Sequence, residues 1–251
     1  MLARQGQPSE FSSRTLSISL ARNLHELREA QRLRFQVFAQ EMGANVPGRE
    51  QGIDCDIYDA FCDHLLVRDT VTNEVVGTYR ILTGAQARRI GGFYSESEFD
   101  LTGLNELRDA TMELGRSCVH QDYRSGAVIA MLWSGLCAYM VQHRHQYVMG
   151  CASIGLGDGG RTAASVYRKL RQTCFSPMEY RVYPRHELRI EETGCVEDVP
   201  LPPLIKGYVR VGAYVCGAPA RDPDFNTADL LMLLPLVRME PRYSRHFLKS
   251  Q

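Results

Sequence analysis

Hydrophobic and polar positions alternate with two different periods along this chain, and the alternation predicts most of its elements. Leu16–Ala21 reads L-S-I-S-L-A, a period of two that predicts a half-buried strand. Asn23 is placed to cap a helix whose apolar positions are Leu24, Leu27, Ala30, Leu33, Val37 and Phe38, ending near Gly43. Leu65–Arg68 and Val75–Leu82 predict a hairpin joined at Thr72-Asn73. Residues 83–109 are mixed, with a short helix expected around Ala85–Arg89 and a mobile loop at Gly91-Gly92. Thr111–Val119 has strand character, Gln121 to Gly126 is a polar turn, and Ala127–Val141 is an apolar helix. Tyr147–Ile154 predicts a strand, Gly155–Gly160 a flexible loop, Thr162–Arg171 a helix and Met178–Tyr183 a further strand. Pro200, Pro202 and Pro203 open a helix over Leu204–Val211; a turn-rich loop from Gly217 to Asp224 and an apolar strand over Leu230–Val237 follow. This succession predicts an α/β fold, a mixed and mostly antiparallel sheet flanked by helices. Residues 1–15 are expected to be disordered, 16–184 to form the core, and 185–251 to be a C-terminal extension packed on it.

Charge and cysteine usage narrow the partners. Twenty-nine basic and 29 acidic residues cancel, so no global field favours nucleic acid or strong membrane attraction. Eight cysteines never form C-x-x-C, which is the usage expected of reduced thiols in a cytoplasmic protein. The longest apolar run, Ala127–Val141, is too short to span a bilayer. Attachment to the inner membrane face stays open, through the basic tail Arg238, Arg242, Arg245, His246 and Lys249 with Tyr243 and Phe247.

The chemistry concentrates around Thr111–Val141. Glu113 and Arg116 stand three apart on a strand, so on an ideal strand they face opposite ways. A shared pocket requires a bulge there, for which Gly115 is suited. The helix opening after the polar turn offers backbone N–H groups to an anion. Asp54, Asp56, Asp59 and Asp63 make an acidic loop with no EF-hand spacing. Cys62-Asp-His64 and Cys118-Val-His120 lack a complete ligand set, and no metal is expected.

These stretches carry a family resemblance over roughly Leu24–Phe247. Thr111 to Val141 resembles the central strand, loop and helix of GNAT-type acyltransferases. E-L-G-R-S resembles the E-x-S-R stretch of acyl-homoserine-lactone synthases, and R-L-R-F-Q-V-F-A-Q-E-M-G is similar to their R-x-x-V-F-x-x-E, with Arg34, Val37, Phe38 and Glu41 on the matching positions. D-I-Y-D places Asp56 and Asp59, and G-T-Y-R-I-L places Arg80, on further residues of that pattern. The run from Glu113 to Trp133, with P-P-L-I-K-G-Y-V-R-V-G-A and D-P-D-F-N-T-A-D-L-L-M-L-L, looks more narrowly like the ornithine-lipid N-acyltransferases, once called haemolysin-like.

The resemblance implies a GNAT-like fold and an N-acyltransferase that moves a fatty acyl group, 3-hydroxyacyl by preference, from acyl carrier protein to the α-amine of ornithine. It implies catalytic roles for Glu113 and Arg116, with Tyr167 protonating the leaving thiolate. Arg34, Phe38, Asp56, Asp59 and Arg80 would bind substrate, and the two aspartates would engage a cationic acceptor. Tyr123, Arg124, Ser125, Gly126, Ala127 and Val128 would hold the 4'-phosphopantetheine of the donor. Met131 and Trp133 would line the acyl groove, and Arg168, Lys169 and Arg171 would dock the carrier. In coenzyme A-using relatives the pyrophosphate loop keeps two small residues, where this chain has Ala127 and Ile129; Ile129 hinders close approach to a diphosphate and favours the carrier-protein donor. No bound cofactor is expected. Other acceptors (tyrosine, glycine), lactone synthesis and a non-catalytic carrier- or membrane-binding module are the competing expectations.

Overall fold

The computed structural model describes residues 15–190, 193–194 and 199–239. The strand expected first is β1 (Leu16–Leu20). Asn23 caps α1 (Leu24–Arg34), its side chain accepting from the Glu26 amide at 3.0 Å. The helix does not run regularly to Gly43: it widens into a π-helical segment, Phe35–Glu41, that closes on Met42 N–H donating to the Val37 carbonyl. Leu24 is 78 % exposed and so lies outside the packed face. The hairpin strands are β2 (Asp63–Asp69) and β3 (Val75–Thr83). A capping box at Thr83 and Gln86 starts α2 (Gly84–Ile90), and Gly91 ends it in the left-handed region. The Gly91-Gly92 stretch thus becomes a helix cap leading into a short 3-10 turn, Tyr94–Ser97, followed by β4 (Phe99–Asp100).

Then follow β5 (Thr111–Val119), α3 (Ala127–Gln142), β6 (Tyr147–Gly155) and α4 (Arg161–Thr173). The strand expected over Met178–Tyr183 does not form. Met178–Tyr180 is a 3-10 turn after Pro177, with Met178 74 % exposed, and only Tyr183–Pro184 (β7) pairs, with β4. Then come α5 (Pro203–Val211), β8 (Tyr214–Val215), β9 (Ala220–Asp222) and β10 (Thr227–Pro235). β9 sits inside the expected turn-rich loop because Ala220–Asp222 folds back onto β10. Residues 1–14 and the tail beyond Met239, with Arg242, Arg245, His246 and Lys249, lie outside the described residues.

The strands form one eight-stranded sheet in the order β1-β2-β3-β5-β6-β10-β8, with β9 beside β10. All of its neighbours are antiparallel except β5 and β6. The expected mixed, mostly antiparallel sheet with flanking helices is what folds. Side-chain parity decides the layers. Leu65, Val67 and Ile81 face α3, whereas Leu66 and Val75 face α1 through Ala30, Leu33 and Val37. On β10, Leu230, Met232 and Leu234 face α4 and α5, while Leu231 and Leu233 face Phe93, Phe99 and Leu104. Because both faces are covered, all nine β10 residues are buried, which explains its unbroken apolar run. No described helix is long and apolar enough to cross a membrane.

Candidate active site

The site forms where the sheet splits. β5 and β6 pair only over Thr111–Glu113 against Tyr147–Met149 and then part. On the other side of β5, Thr78 opposes Cys118 and Arg80 opposes Gly115, so β5 carries one residue more than β3. The expected bulge is therefore present, but Arg116 (φ +50°), not Gly115, takes the left-handed conformation. Such a conformation strains a residue with a β-carbon. Arg116 is held in it by ion pairs to Asp54 and Asp56 and by stacking of its guanidinium on Phe225 (4.7 Å) and Tyr94 (5.2 Å). At the fork, a β-carbon on Gly150 would stand 2.4 Å from the Leu114 carbonyl oxygen, so only glycine lets the strands meet there. Gly150→Ala is accordingly expected to cost about 1–3 kcal/mol of stability by forced backbone shift, read as a lower melting temperature. An unchanged melting temperature would contradict the fork geometry.

Between the parted strands lies a cavity of about 560 Å³, lined among others by Phe38, Tyr94, Glu113, Arg116, Cys151 and Asp229. Glu113 is 4 % exposed, and its carboxylate is fully held. Oε2 accepts from the Tyr94 amide (2.7 Å); Oε1 accepts from the Ser95 amide (2.7 Å) and the Ser95 hydroxyl (2.5 Å). Burial nevertheless wins over these three donors and leaves the Glu113 carboxyl above its ordinary pKa. That suits a base that must release a proton as readily as it takes one.

Beside it runs a network of three arginines and three aspartates. Arg34, wholly buried, gives Asp59 a two-pronged contact (3.0 and 2.6 Å) and donates to the Asp54 carbonyl (2.5 Å). Its Nε lies 3.0 Å from Asp54 Oδ2, an ion pair without hydrogen-bond alignment. Gln31 also donates to Asp59 (2.8 Å). Arg80 Nη1 bridges Asp56 (2.6 Å) and Asp59 (3.0 Å), and Arg116 bridges Asp54 (3.0 Å) and Asp56 (3.4 Å). Burial pushes the Asp59 carboxyl up, but Arg34 and then Arg80 more than offset it and hold the group well below the usual carboxylate range. Asp54, Asp56 and Asp59 of the acidic loop are therefore matched by arginines from α1, β3 and β5. Asp59 does not line the cavity, and its oxygens are spent on Arg34, Arg80 and Gln31.

The remaining expected residues divide. Phe38, Arg80, Glu113, Arg116 and Arg124 line the cavity; Arg34 and Asp56 stand behind Arg80 and Arg116. Tyr167 does not line it: the side chain is packed in the core under α4, edge-on to Phe175 at 6.4 Å. In the loop before α3, Arg124 pairs with Glu41 (2.6 Å) and the Tyr123 hydroxyl donates to Asp69 (2.7 Å). Gly126 (φ +104°) precedes Ala127, the first residue of α3, and Val128 is buried against Gly77. Ser125 belongs to the same turn. Met131 and Trp133 are not brought together: Met131 packs toward β2 and β3, whereas Trp133 packs toward Tyr208 at 5.4 Å. Trp133 lines a small apolar cavity of about 40 Å³ that shares Leu114 and Tyr208 with the main one.

Several residues in or just behind the cavity wall escape sequence reasoning. Tyr94 and Ser95, which anchor Glu113, come from a stretch with no periodicity. Glu98, Asp222 and Asp229 gather from three elements on the far side. Asp229 did leave a signal, a lone carboxylate in the apolar strand T-A-D-L-L-M-L-L. The seven cysteines among the described residues are free thiols.

The mixed sheet with one parallel pair that opens around a cavity is GNAT-like, and residues 33–134 match the acetyltransferase (GNAT) domain family, which makes the chain an acyltransferase of that type. The fold is similar to that of FeeM, an N-acyl amino acid synthase from uncultured soil microbes (TM-score 0.55, 13 % identity, 90 % of this chain and 94 % of that one). It is likewise similar to the AHL synthase LasI (TM-score 0.52, 13 % identity, 94 % and 96 %). Sequence goes further than fold. The chain is 38 % identical to an L-ornithine N(alpha)-acyltransferase of Agrobacterium fabrum over 93 % of its own length and 85 % of that protein. A second, from Brucella abortus, is 36 % identical over 93 % and 89 %. The chain belongs to the L-ornithine N(alpha)-acyltransferase family.

Proposed function

We propose that this enzyme transfers a fatty acyl group from a thioester to the α-amine of ornithine, the step that opens ornithine-lipid synthesis. The observation that carries the reading is Glu113, anchored by three donors on the wall of the cavity where β5 and β6 part. The family membership of the whole chain supports it. The amine nitrogen attacks the thioester carbonyl, the C–N bond forms, and the C–S bond breaks to release a thiol. An α-ammonium has a pKa of about 8, so freeing the amine at neutral pH costs on the order of 1 kcal/mol. One carboxylate suffices, and Glu113 accepts that proton directly or through water. The tetrahedral oxyanion needs a donor, worth roughly 3–4 kcal/mol when well placed; a backbone N–H of β5 beside Glu113 supplies it. Arg80 and Arg116, which both line the cavity, receive the acceptor's carboxylate. The acyl chain runs from the main cavity past Leu114 and Tyr208 toward Trp133, gaining about 0.8 kcal/mol per buried methylene.

The donor is acyl carrier protein bearing a 3-hydroxyacyl phosphopantetheine. Its single phosphodiester needs a smaller seat than a diphosphate, which the turn leading into α3 offers from its free amides up to Val128. Arg168, Lys169 and Arg171 on α4 meet the acidic carrier, and the basic tail brings the enzyme to the inner membrane face. Purified protein given matched acyl-carrier-protein and acyl-coenzyme A donors with ornithine, read by mass spectrometry, is expected to yield N-acyl-ornithine faster from the carrier-protein donor. Equal rates would defeat the donor assignment, and no product from either would defeat the function.

A further inference from the structure

The two polar walls of the cavity carry different charge balances. At one, Arg80 and Arg116 belong to a network in which three arginines meet three aspartates in ion pairs. On the other, Glu98, Asp222 and Asp229 are all acidic. Among the described residues none of these three forms an ion pair with Arg, Lys or His. Asp222 and Asp229 line the cavity together with Cys151, Ser153 and Thr227. Glu98 stands just behind them, and its carboxyl oxygen, Cys151 Sγ and an Asp229 oxygen all lie within 4.8 Å of one another. Glu98 is 8 % exposed, and both of its oxygens are buried without a hydrogen bond of good geometry. Burial, then repulsion among the three acids, holds Glu98 above the usual carboxylate range; burial, then the charge of Asp222, does the same for Asp229.

A buried group of acids beside an open cavity is costly unless protons or a cation offset its charge, and the cavity gives a cation access to it. We propose that Glu98, Asp222 and Asp229 seat the side-chain ammonium of the acceptor, and that this seat makes the enzyme select an amino acid with a short cationic arm over a neutral one. The inference rests on the acyl transfer proposed above. Its geometry is continuous with that site: the Ser95 hydroxyl touches both Glu113 (2.5 Å) and Cys151 (3.3 Å). An acceptor whose α-amine lies at Glu113 therefore extends its arm along Ser95 to the acidic wall. An ammonium brings three N–H donors to a group in which both Glu98 oxygens have no well-aligned donor. A metal ion suits the place less well, because it needs deprotonated ligands and burial pushes the Cys151 thiol well above its ordinary pKa.

The test compares ornithine with norvaline, which has the same arm without the nitrogen, in the intact protein and in Asp229→Asn, Asp222→Asn and Glu98→Gln. Asn keeps an oxygen for the Thr227 hydroxyl at 229 and for the Asp224 and Phe225 amides at 222, so those local bonds survive. The intact enzyme is expected to prefer ornithine. In each folded variant the KM for ornithine rises about 10-fold or more, the loss expected when a charged hydrogen-bond partner is removed. The ornithine-to-norvaline preference falls by a similar factor. Calorimetric titration of ornithine against norvaline gives the same comparison without turnover. An unchanged preference in the folded variants overturns the seat while leaving acyl transfer to ornithine standing. An intact enzyme that acylates no ornithine overturns both. Stoichiometric zinc in the purified protein, lost in Asp229→Asn, also overturns the seat and makes the cluster a metal site.

Discussion

Glu113→Gln is expected to lower kcat for N-acyl-ornithine formation by about 100-fold or more, within the range of general-base catalysis. Gln keeps one oxygen for the Ser95 amide and hydroxyl but turns an NH2 toward the Tyr94 amide, where two donors then meet. The fold should survive with a stability loss of about 1–3 kcal/mol, so circular dichroism separates unfolding from lost chemistry. The pH profile is the more telling readout. A base works deprotonated, so activity must rise with pH through the pKa of Glu113. Burial raises that pKa, which places the limb above the ordinary range of a glutamate. A second limb near pH 8 belongs to the acceptor's own amine and remains in the variant. Loss of the first limb alone identifies the base. A variant that turns over within a few-fold of the parent would remove Glu113 from the mechanism.

Asp59→Ala should be the most destabilising single change in the site, costing about 3–5 kcal/mol because it leaves three buried arginines facing two aspartates. For a chain of this size that is a drop of about 10 °C in melting temperature. Removing one charge of each sign with Arg34→Met and Asp59→Asn should cost less than the two single changes added together. The pH dependence has a definite sign. Arg34 and Arg80 hold the folded-state pKa of Asp59 below its unfolded value of about 3.9. Its contribution is therefore complete above that value and fades as pH falls below it. Melting temperature followed from about pH 5 down to pH 2 should fall steeply in the parent and less steeply in Asp59→Asn. Parallel curves would mean that the network does not stabilise the fold.

That network also shows why sequence reasoning reached some of the site and not the rest. Arg34, Asp56, Asp59, Arg80, Glu113 and Arg116 were all singled out from their motifs, and the fold brings them together around one fork. What the motifs did not convey is which charges cancel. Asp56 and Asp59 read as free acids in a loop, yet Arg34 reaches Asp59 from a helix more than 20 residues earlier, and Arg80 reaches both from a strand more than 20 residues later. The unpaired acids are elsewhere, on three segments whose spacing in the chain says nothing about their meeting. The bulge tells a similar story: parity of Glu113 and Arg116 required it, but Gly115 was the natural choice and Arg116 took the strained conformation, held by its charge partners and two aromatic rings.

By itself the sequence determined the longer strands and helices in their order, the mixed sheet, the position of the central strand and helix, and the family. All of these are local or additive properties: side-chain period, caps, prolines, and motifs read residue by residue. Only the tertiary structure decided that Tyr167 is core rather than cavity wall, that Met131 and Trp133 pack into different parts of the core, and that Asp54, Asp56 and Asp59 are matched by arginines while Glu98, Asp222 and Asp229 are not. Each of those depends on which groups a buried charge or ring meets across the sheet, and a buried charge is defined by its neighbours in space.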